Sequence, residues 1–266
     1  MEIELSNVCT KNLINISVKF NKNKINSLIT DKDNTKVEFL NLLCCEESIN
    51  SGVIKYEEVE IDYKSIFQKK LEIRKKIYYL KDNYESMLFN ININEDIKYY
   101  INNYDQKKLE ELLKLFHLNT DILEKNYLEL SSSEIRKVLL IIGLIGDYKI
   151  IIFNDPTLKL DNKAVQSLIK SLKKLKREDK LVIISSNDTN FLLEVSDEIM
   201  VIKNKKVLDQ GNKYEILSND KLLNKLNLKV PNILEFVNAI KKLKNIKIGY
   251  RDNINDLIKD IFRYAK

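Results

Sequence analysis

The residues with the clearest potential for chemistry follow a short apolar run in the middle of the chain. Residues 150–153, IIIF, are followed by Asn154, Asp155 and Pro156. Ligands of open α/β sheets bind at the carboxyl ends of the strands, so a buried strand that ends in a carboxylate is a common way to place a reactive group. The pattern raises the question of whether Asp155 is a catalytic residue or the remnant of one.

Two other segments have the pattern of a helix start. A Ser or Thr followed three residues later by Glu forms a capping box, in which the two side chains bond to the first free amides of a helix. Thr35 and Glu38 have this spacing in TDKDNTKVE (30–38), and Ser131 and Glu134 have it in LSSSE (130–134). We therefore expect both helix starts to be satisfied by their own side chains, without a ligand.

The composition predicts a soluble globular protein. Of the 266 residues, 44% are hydrophobic and 32% are charged, which is enough apolar material for a core. No apolar run approaches the ~18 residues of a membrane span, and the amino terminus lacks the pattern of a signal peptide, so we expect a cytoplasmic chain. The three cysteines do not have the spacing of a disulfide framework or a metal site.

The net charge of +6 comes from basic and acidic side chains that are mostly interspersed. Two basic runs stand out, at residues 170–177 and 241–247. Neither has the interleaved aromatic residues of a single-strand nucleic-acid platform, so we interpret both as solvated helix faces and predict no nucleic-acid partner.

Hydrophobic periodicity predicts an α/β protein. Alternation indicates strands at 3–8, 13–20, 24–30, 53–62, 149–153, 180–186, 198–204 and 205–211. Helical spacing indicates helices at 36–45, 96–118, 130–146, 163–176 and 189–195, then three short helices at 221–229, 230–244 and 253–264. This order implies a mainly parallel sheet covered by helices. We place a nucleotide-binding-type domain at 1–218, with a helical subdomain at about 96–146, and a helical extension at 219–266.

The order and spacing of these segments resemble the ATP-binding subunits of ABC transporters, and further residues resemble those of the energy-coupling factor type. The second resemblance rests on IRKKIYYLKDNYESMLFNININEDI (73–97) and on the tail LNLKVPNILEFVNAIKKL (226–243). The first of these segments keeps seven positions of the family pattern: Arg74, Asn83, Leu88, Phe89, Asn90, Glu95 and Asp96. The resemblance implies a P-loop NTPase-like ABC domain, with a mixed, mainly parallel sheet and a helical subdomain, followed by a small helical extension.

The segment that resembles the phosphate loop has lost most of what binds phosphate. The GxxxxGK[ST] motif needs glycines for a wrap of backbone N–H groups, a lysine for the β/γ-phosphates and a hydroxyl for Mg²⁺. In TDKDNTKVE, Lys36 keeps the lysine position, Thr30 and Thr35 replace the glycines and Val37 replaces the hydroxyl. Acidic groups also stand at the expected helix start, where phosphate would bind. The family's cofactor-binding positions are thus Asp33, Asn34, Thr35, Lys36, Val37 and Glu38.

The family's catalytic positions are mostly substituted as well. The resemblance places Asn154 and Asp155 at the Asp-Glu that ends the strand, so the Mg²⁺-binding charge is lost and the water-activating carboxylate is one methylene shorter. Asn187 replaces the switch histidine, and Asp82 replaces the glutamine that follows the neighbouring strand. These changes make Asp155 a remnant in our interpretation. The resemblance implies ATP and Mg²⁺ as cofactors, but the residues predict weak or absent binding.

The signature motif departs least from the family pattern. LSGGQ appears here as LSSSE, with Ser131, Ser132, Ser133 and Glu134 after Leu130. In the family, this motif closes over ATP that the partner subunit holds. LSSSE either serves a partner's ATP in this way or is only a capped helix start. Asp161, in LKLD, matches the loop that contacts the partner subunit.

We interpret the chain as a degenerate ATP-binding subunit that pairs with a competent homologous ATPase subunit and docks on a transmembrane coupling protein at the inner face of the membrane. Such a pair would drive uptake of a vitamin or a metal ion. Two alternatives stay open. One is a slow ATPase that uses Lys36 and Asp155. The other is a cytosolic ABC-like binding module that is not tied to transport.

Overall fold

The computed structural model describes residues 1–244, 249–252 and 254–264. Its strands are β1 (Ile3–Cys9), β2 (Ile16–Phe20), β3 (Ile25–Thr30), β4 (Ser51–Tyr56), β5 (Val59–Ile61), β6 (Ile77–Leu80), β7 (Ile150–Asn154), β8 (Leu181–Ser185), β9 (Glu198–Lys203) and β10 (Lys206–Asn212). Its helices are α1 (Asp33–Leu43), α2 (Phe67–Arg74), α3 (Ile93–Tyr100), α4 (Gln106–Leu115), α5 (Ser132–Ile145), α6 (Asn162–Leu175), α7 (Thr189–Val195), α8 (Lys213–Leu217), α9 (Asp220–Lys225), α10 (Asn232–Lys244) and α11 (Ile254–Tyr264).

A six-stranded sheet forms the centre of the molecule. Its strand order is β10-β9-β3-β8-β7-β6, and all neighbours are parallel except the β9–β10 pair. Every residue of β3, β7 and β8 is buried, as expected for parallel strands that are covered on both faces. The carboxyl ends of these strands meet at one edge, where Thr30, Ser185 and Asn154 end neighbouring strands.

One face of this sheet packs on α1 and on a smaller antiparallel sheet. That second sheet has the order β2-β1-β4-β5. Alternate side chains such as Ile152 and Ile183 share a core with Phe39 of α1 and with Ile3 and Leu5 of β1. Residues two apart in a strand face the same side, so Asn154 and Ser185 also lie on the face that carries α1.

The opposite face of the central sheet is covered by helices. Ile151 and Phe153 of β7 share a second core with α4, α5 and α6. Between β6 and β7 the chain forms α3, α4 and α5, with single 3₁₀ turns at Tyr84–Met87, Thr120–Glu124 and Tyr127–Glu129. Leu222 of α9 and Leu234 of α10 join the same core. The proposed domain boundary between residues 218 and 219 falls between α8 and α9.

The predicted mixed sheet with covering helices is confirmed, as are the three predicted helices of the tail. Asn253 and the last three residues of the basic run at 241–247 lie outside the described residues. Three short elements, α2, β6 and α8, were absent from the sequence prediction. In the described part of the chain, no helix is long and apolar enough to cross a membrane.

Two elements that were predicted as continuous are each divided in the structure. The helix expected at 96–118 is two helices, because Asp105 caps a new helix by accepting from the amide of Lys107 at 2.9 Å. The strand expected at 53–62 is the hairpin β4–β5, because Glu57 turns the backbone at a φ of 52°. In both segments a local turn preference outweighed a periodicity that continued across it.

Candidate functional site

The site predicted from the sequence lies at the carboxyl edge of β3, β8 and β7. Lys36 extends from α1 to this edge and meets Asp155, which directly follows β7. Asn187 reaches the end of β3 from the segment after β8. The structure therefore brings together five of the predicted residues: Asp33, Lys36, Asn154, Asp155 and Asn187.

The connection between β3 and α1 is too short to wrap a phosphate. β3 ends at Thr30 and α1 begins at Asp33, so only Asp31 and Lys32 lie between them. Asp33, Asn34 and Thr35 form the first turn of the helix, and the amide of Lys36 already donates to the carbonyl of Lys32 at 3.1 Å. The amide of Lys36 is therefore used within the helix, whereas the three amides before it lie in the first turn, whose N–H groups have no acceptor within a helix.

The ammonium group of Lys36 is held by two carboxylates. Its Nζ lies 2.5 Å from Oδ2 of Asp155 and 2.9 Å from Oδ1 of Asp33. The Lys36 side chain is 9% exposed. Burial by itself lowers the pKa of Lys36, but the hydrogen bonds and charges of Asp155 and Asp33 outweigh it and raise that pKa above its usual range. Lys36 is thus a charged group whose counter-ions come from the protein itself.

Asp155 is held in place through its backbone as well as through Lys36. Its φ of 44° lies in the left-handed region, which is uncommon for a residue other than glycine. Its amide donates to the carbonyl of Ser185 at 2.9 Å, and its carbonyl accepts from Nη2 of Arg136 at 2.6 Å. Oδ2 of its carboxylate pairs with Lys36, and 32% of the side chain remains exposed.

Arg136 is the site residue that the sequence analysis missed. Its side chain is fully buried, and its guanidinium donates to the carbonyls of Asn154 at 2.5 Å and Lys81 at 3.3 Å as well as to Asp155. It also lies over the ring of Tyr84 at 4.7 Å. The sequence did contain a signal for this residue, a cation inside the apolar run IRKVLLIIG, because charged side chains are seldom fully buried without partners. We interpreted the run only as part of a helix.

Several buried polar atoms at this edge have no hydrogen-bond partner among the residues that the structure describes. Both side-chain amide atoms of Asn154 are unpaired although the residue is fully buried. The hydroxyl oxygens of Thr30 and Ser185 are in the same state. Buried polar groups are ordinarily paired, so these residues retain the polar character of a ligand-binding edge although the cation beside them is already neutralised.

Asn187 pairs with the backbone at the end of β3, on the other side of the site. Its Nδ2 donates to the carbonyl of Thr30 at 3.2 Å, and its Oδ1 accepts from the amide of Thr30 at 3.4 Å. The side chain therefore pairs with the backbone at the end of β3, where the resemblance predicted a contact to a γ-phosphate. This pairing uses both polar atoms of the amide.

The predicted capping box of Thr35 and Glu38 is wrong. The N-cap of α1 is Lys32, which makes no side-chain capping bond. The carboxylate of Glu38 instead accepts from the Thr10 hydroxyl, from the amide of Asn12 at 2.9 Å and from its Nδ2 at 2.5 Å. Burial raises the pKa of Glu38, but these hydrogen bonds outweigh it and lower that pKa. Glu38 thus ties α1 to the segment between β1 and β2.

The capping box of the signature segment is confirmed. The hydroxyl of Ser131 accepts from the amide of Glu134 at 3.3 Å, and Oε2 of Glu134 accepts from the amide of Ser131 at 2.8 Å. The hydrogen bonds from Ser131 lower the pKa of Glu134. Ser132 is exposed and Ser133 is half-buried. The motif is therefore a well-formed helix start with a serine free on its surface.

The remaining predicted residues lie at the periphery of the site. Asp161 caps α6 by accepting from the amide of Ala164 at 2.8 Å, and it lies 3.6 Å from Nζ of Lys137 on α5. Asp82 is exposed and accepts from the following amide. Asn34 is exposed, and Val37 is half-buried.

Comparisons with known proteins identify the family to which the chain belongs. The model of the family described as "ABC transporter" matches residues 13–158. The ATP-binding protein EcfA2 of the energy-coupling factor transporter of Mycoplasma capricolum is 31% identical in an alignment that covers 96% of this chain and 89% of that protein. The chain belongs to the ABC transporter family. Within that family, it belongs to the ATP-binding subunits of energy-coupling factor transporters.

Solved structures with low sequence identity show the same fold. The dimeric structure of MJ0796, a bacterial ABC transporter cassette, has a TM-score of 0.70 at 19% identity and covers 79% of this chain and 98% of its own. CbiO1 from Clostridium perfringens, part of the ABC transporter complex cbiONQ, has a TM-score of 0.69 at 20% identity over 89% and 98% of the two chains.

The residues of this chain do not fit the ATP and Mg²⁺ that the ABC family binds. The lysine is paired with two carboxylates. By the resemblance, Val37 stands where the family has the Mg²⁺-binding hydroxyl, and Asn154 stands where it has the Mg²⁺-binding carboxylate. Among the described residues, no group of three or more His, Cys, Asp or Glu side chains is placed to hold a metal ion. A phosphate at this edge would have to displace Asp155 from Lys36 and then lie beside that carboxylate.

We expect the Lys36–Asp155 ion pair to stabilise the ligand-free fold. A double-mutant cycle with Lys36→Met and Asp155→Asn should give a coupling energy of about 1–2 kcal/mol in urea unfolding, since the pair is largely buried and closely spaced. The same cycle with Lys32→Met in place of Lys36→Met serves as the control, because Lys32 is an exposed neighbour. A coupling energy below about 0.3 kcal/mol would contradict the structure.

The same pair predicts a dependence on pH. Because the folded pKa of Lys36 is raised, its contribution to stability is fully present below the unfolded value of about 10.4. It is lost as the pH rises through the higher folded pKa. When the pH is raised from neutral to above about 10.4, the free energy of unfolding should therefore fall more for the wild type than for Lys36→Met.

Proposed function

We propose that this chain is a degenerate ATP-binding subunit of an energy-coupling factor transporter, which pairs with a homologous competent ATPase subunit. The observation that carries the proposal is the position of Lys36, whose ammonium lies between Asp155 and Asp33. ATP turnover takes place in the partner's site, and this chain completes the dimer.

The helix start formed by the signature segment supports this role. The capping box of Ser131 and Glu134 keeps the start of α5 folded without a ligand. The exposed Ser132 remains available to nucleotide that the partner subunit holds. Asp161 is 60% exposed and forms an ion pair with Lys137 of α5. This pair holds the loop before α6 against α5, the helix that begins with the signature segment. The chain thus keeps the surface that would contact the partner's nucleotide, while the lysine of its own nucleotide site is paired with internal carboxylates.

An exposed apolar patch supports docking on a transmembrane coupling protein. The patch consists of Phe89, Ile91, Tyr99 and Leu128, which are 52%, 83%, 64% and 77% exposed. The fully buried Asp96 fixes the backbone at one end of the patch, because its Oδ1 accepts from the amides of Phe89 and Asn90. The rings of Phe89 and Tyr99 pack at 4.8 Å, and exposed apolar side chains that lie together are typical of an interaction site. The pair of subunits sits on the inner face of the cell membrane and drives uptake of a vitamin or a metal ion.

Phosphate release by the purified chain tests the loss of catalysis. With ATP and Mg²⁺ we expect turnover at the background level, far below the ~1 per second of an ordinary enzyme, for the wild type, Lys36→Ala and Asp155→Ala alike. The alternative function is a slow ATPase that uses Lys36 and Asp155, beside the unpaired buried polar atoms of Asn154 and Ser185. It requires measurable turnover that falls in both variants. That result would overturn the proposal.

Co-purification tests the docking surface. When the chain is expressed with its transmembrane coupling protein and extracted in detergent, Ile91→Ser with Leu128→Ser should reduce recovery of the complex at least tenfold. Ile66→Ser with Phe67→Ser removes two apolar side chains of similar exposure outside the patch and should leave recovery unchanged. Equal losses in both double variants, or no loss in either, would contradict the assignment of the patch.

A further inference from the structure

The helix α7 lies between the nucleotide edge and the tail of the chain. It begins at Thr189, two residues after Asn187, whose side-chain amide pairs with the backbone of Thr30. The helix has seven residues, and isolated helices shorter than about 12 residues are marginal in water. The position of α7, and with it the position of Asn187, therefore depends on the groups that the rest of the chain bonds to it.

The tail holds the first turn of α7 through two hydrogen bonds. Oγ1 of Thr189 donates to the carbonyl of Lys229 at 2.9 Å, and Oδ1 of Asn190 accepts from the amide of Asn232 at 3.2 Å. Lys229 lies just before α10, and Asn232 is the first residue of that helix. The start of α7 is thus fixed to the start of α10.

A buried lysine connects the last turn of α7 to the segment before α11. Lys213, the first residue of α8, is 8% exposed. Its Nζ donates to the carbonyl of Leu193 at 3.0 Å and lies 2.6 Å from Oδ1 of Asp252. A buried charge is costly unless it is paired. The carboxylate of Asp252 therefore allows Lys213 to stay bonded to Leu193 on α7.

Tyr214 adds a second donor to the same carboxylate. Its hydroxyl donates to Oδ1 of Asp252 at 2.6 Å, and its ring stacks on Tyr250 with 5.8 Å between the ring centroids. Burial raises the pKa of Tyr214, and the bond to Asp252 raises it further, so the hydroxyl remains protonated at neutral pH. The segment 249–252 is thus fixed on α8 as well as on Lys213.

Apolar packing alone does not determine where the two ends of α7 lie. The helix buries four apolar side chains in the main core: Phe191, Leu192, Leu193 and Val195. Burial of apolar surface is not directional, whereas hydrogen bonds require a defined distance and angle. The bonds from Lys229, Asn232 and Lys213 therefore place the ends of the helix, and each of them depends on the tail.

We propose that the tail is a clamp on α7, which holds Asn187 against the end of β3 and transmits a displacement of the tail to the nucleotide edge. Asp252 is a positioning residue in this clamp, because it acts on Asn187 only through Lys213 and α7. The use of the clamp to pass movement between the tail and the degenerate site rests on the proposed function. The clamp itself requires neither nucleotide nor a partner subunit.

Amide hydrogen exchange of the full chain, followed by NMR, tests the clamp without nucleotide. The amide of Thr30 donates to Oδ1 of Asn187 at 3.4 Å and reports the position of Asn187. The amide of Ser196 donates to the carbonyl of Leu192 at 2.9 Å and reports the last turn of α7. In Asp252→Asn both amides should lose protection about tenfold or more, because Lys213 loses its counter-ion and leaves α7. Asp252→Glu keeps the carboxylate and should stay within about threefold of the wild type.

Asp256→Asn is the matched control, because it removes a carboxylate from the same tail where that group pairs with Lys259 at 3.0 Å on the surface. It should leave both reporter amides unchanged. Tyr214→Phe removes one donor to Asp252 without a change of charge and should cause a smaller loss at the same two amides. This variant decides the question even if Asp252→Asn does not fold.

The proposal is overturned if the Thr30 amide stays protected in Asp252→Asn and in Tyr214→Phe. It is also overturned if the amides of β7 lose protection to the same extent as Thr30, because Asp252 would then support the whole fold and not α7. ATP turnover by the purified chain does not enter this readout, so failure of the clamp and failure of the proposed function are separate results.

Discussion

The contact between Lys36 and Asp155 joins the two halves of what would be a nucleotide site. Two unit charges at close range attract strongly when water is partly excluded, although removing them from water offsets much of that gain. Here the geometry supplies a second carboxylate, from Asp33, on the first turn of the same helix. The position that a phosphate would occupy is therefore filled by acidic side chains of the chain itself, and binding of an anion would leave those carboxylates without their cation.

This ion pair is one link in a continuous connection across the molecule. Arg136, on the helix that begins with LSSSE, donates to the backbone of Asp155, and the carboxylate of Asp155 holds Lys36 on α1. On the other side, Glu38 ties α1 to the loop after β1. The signature helix, the central sheet and the antiparallel sheet are thus joined without nucleotide. In the function that we propose, the subunit transmits a movement that its partner generates, because its parts already form one packed unit.

The sequence predicted those features that depend on local patterns. The buried strand before Asn154, the capped start of α5 and the three tail helices all follow from spacing and caps within a few residues. The helix at 96–118 failed because Asp105 introduced a new cap inside a periodic run. The bonds of Glu38 could not be predicted from the sequence, since Thr10 and Asn12 are distant along the chain and compete with a local capping box. The partners of Lys36 and Arg136 likewise depend on how distant strands end at one edge.

Calorimetric titration of the purified chain with ATP and Mg²⁺ tests the central claim most directly, because the claim is that internal carboxylates occupy the phosphate position. We predict no binding heat and no thermal stabilisation at millimolar ATP, and no difference between the wild type and Lys36→Met. Binding in the micromolar range that is lost in Lys36→Met would contradict the account, since Lys36 would then exchange Asp155 for phosphate and the site would be a working nucleotide site.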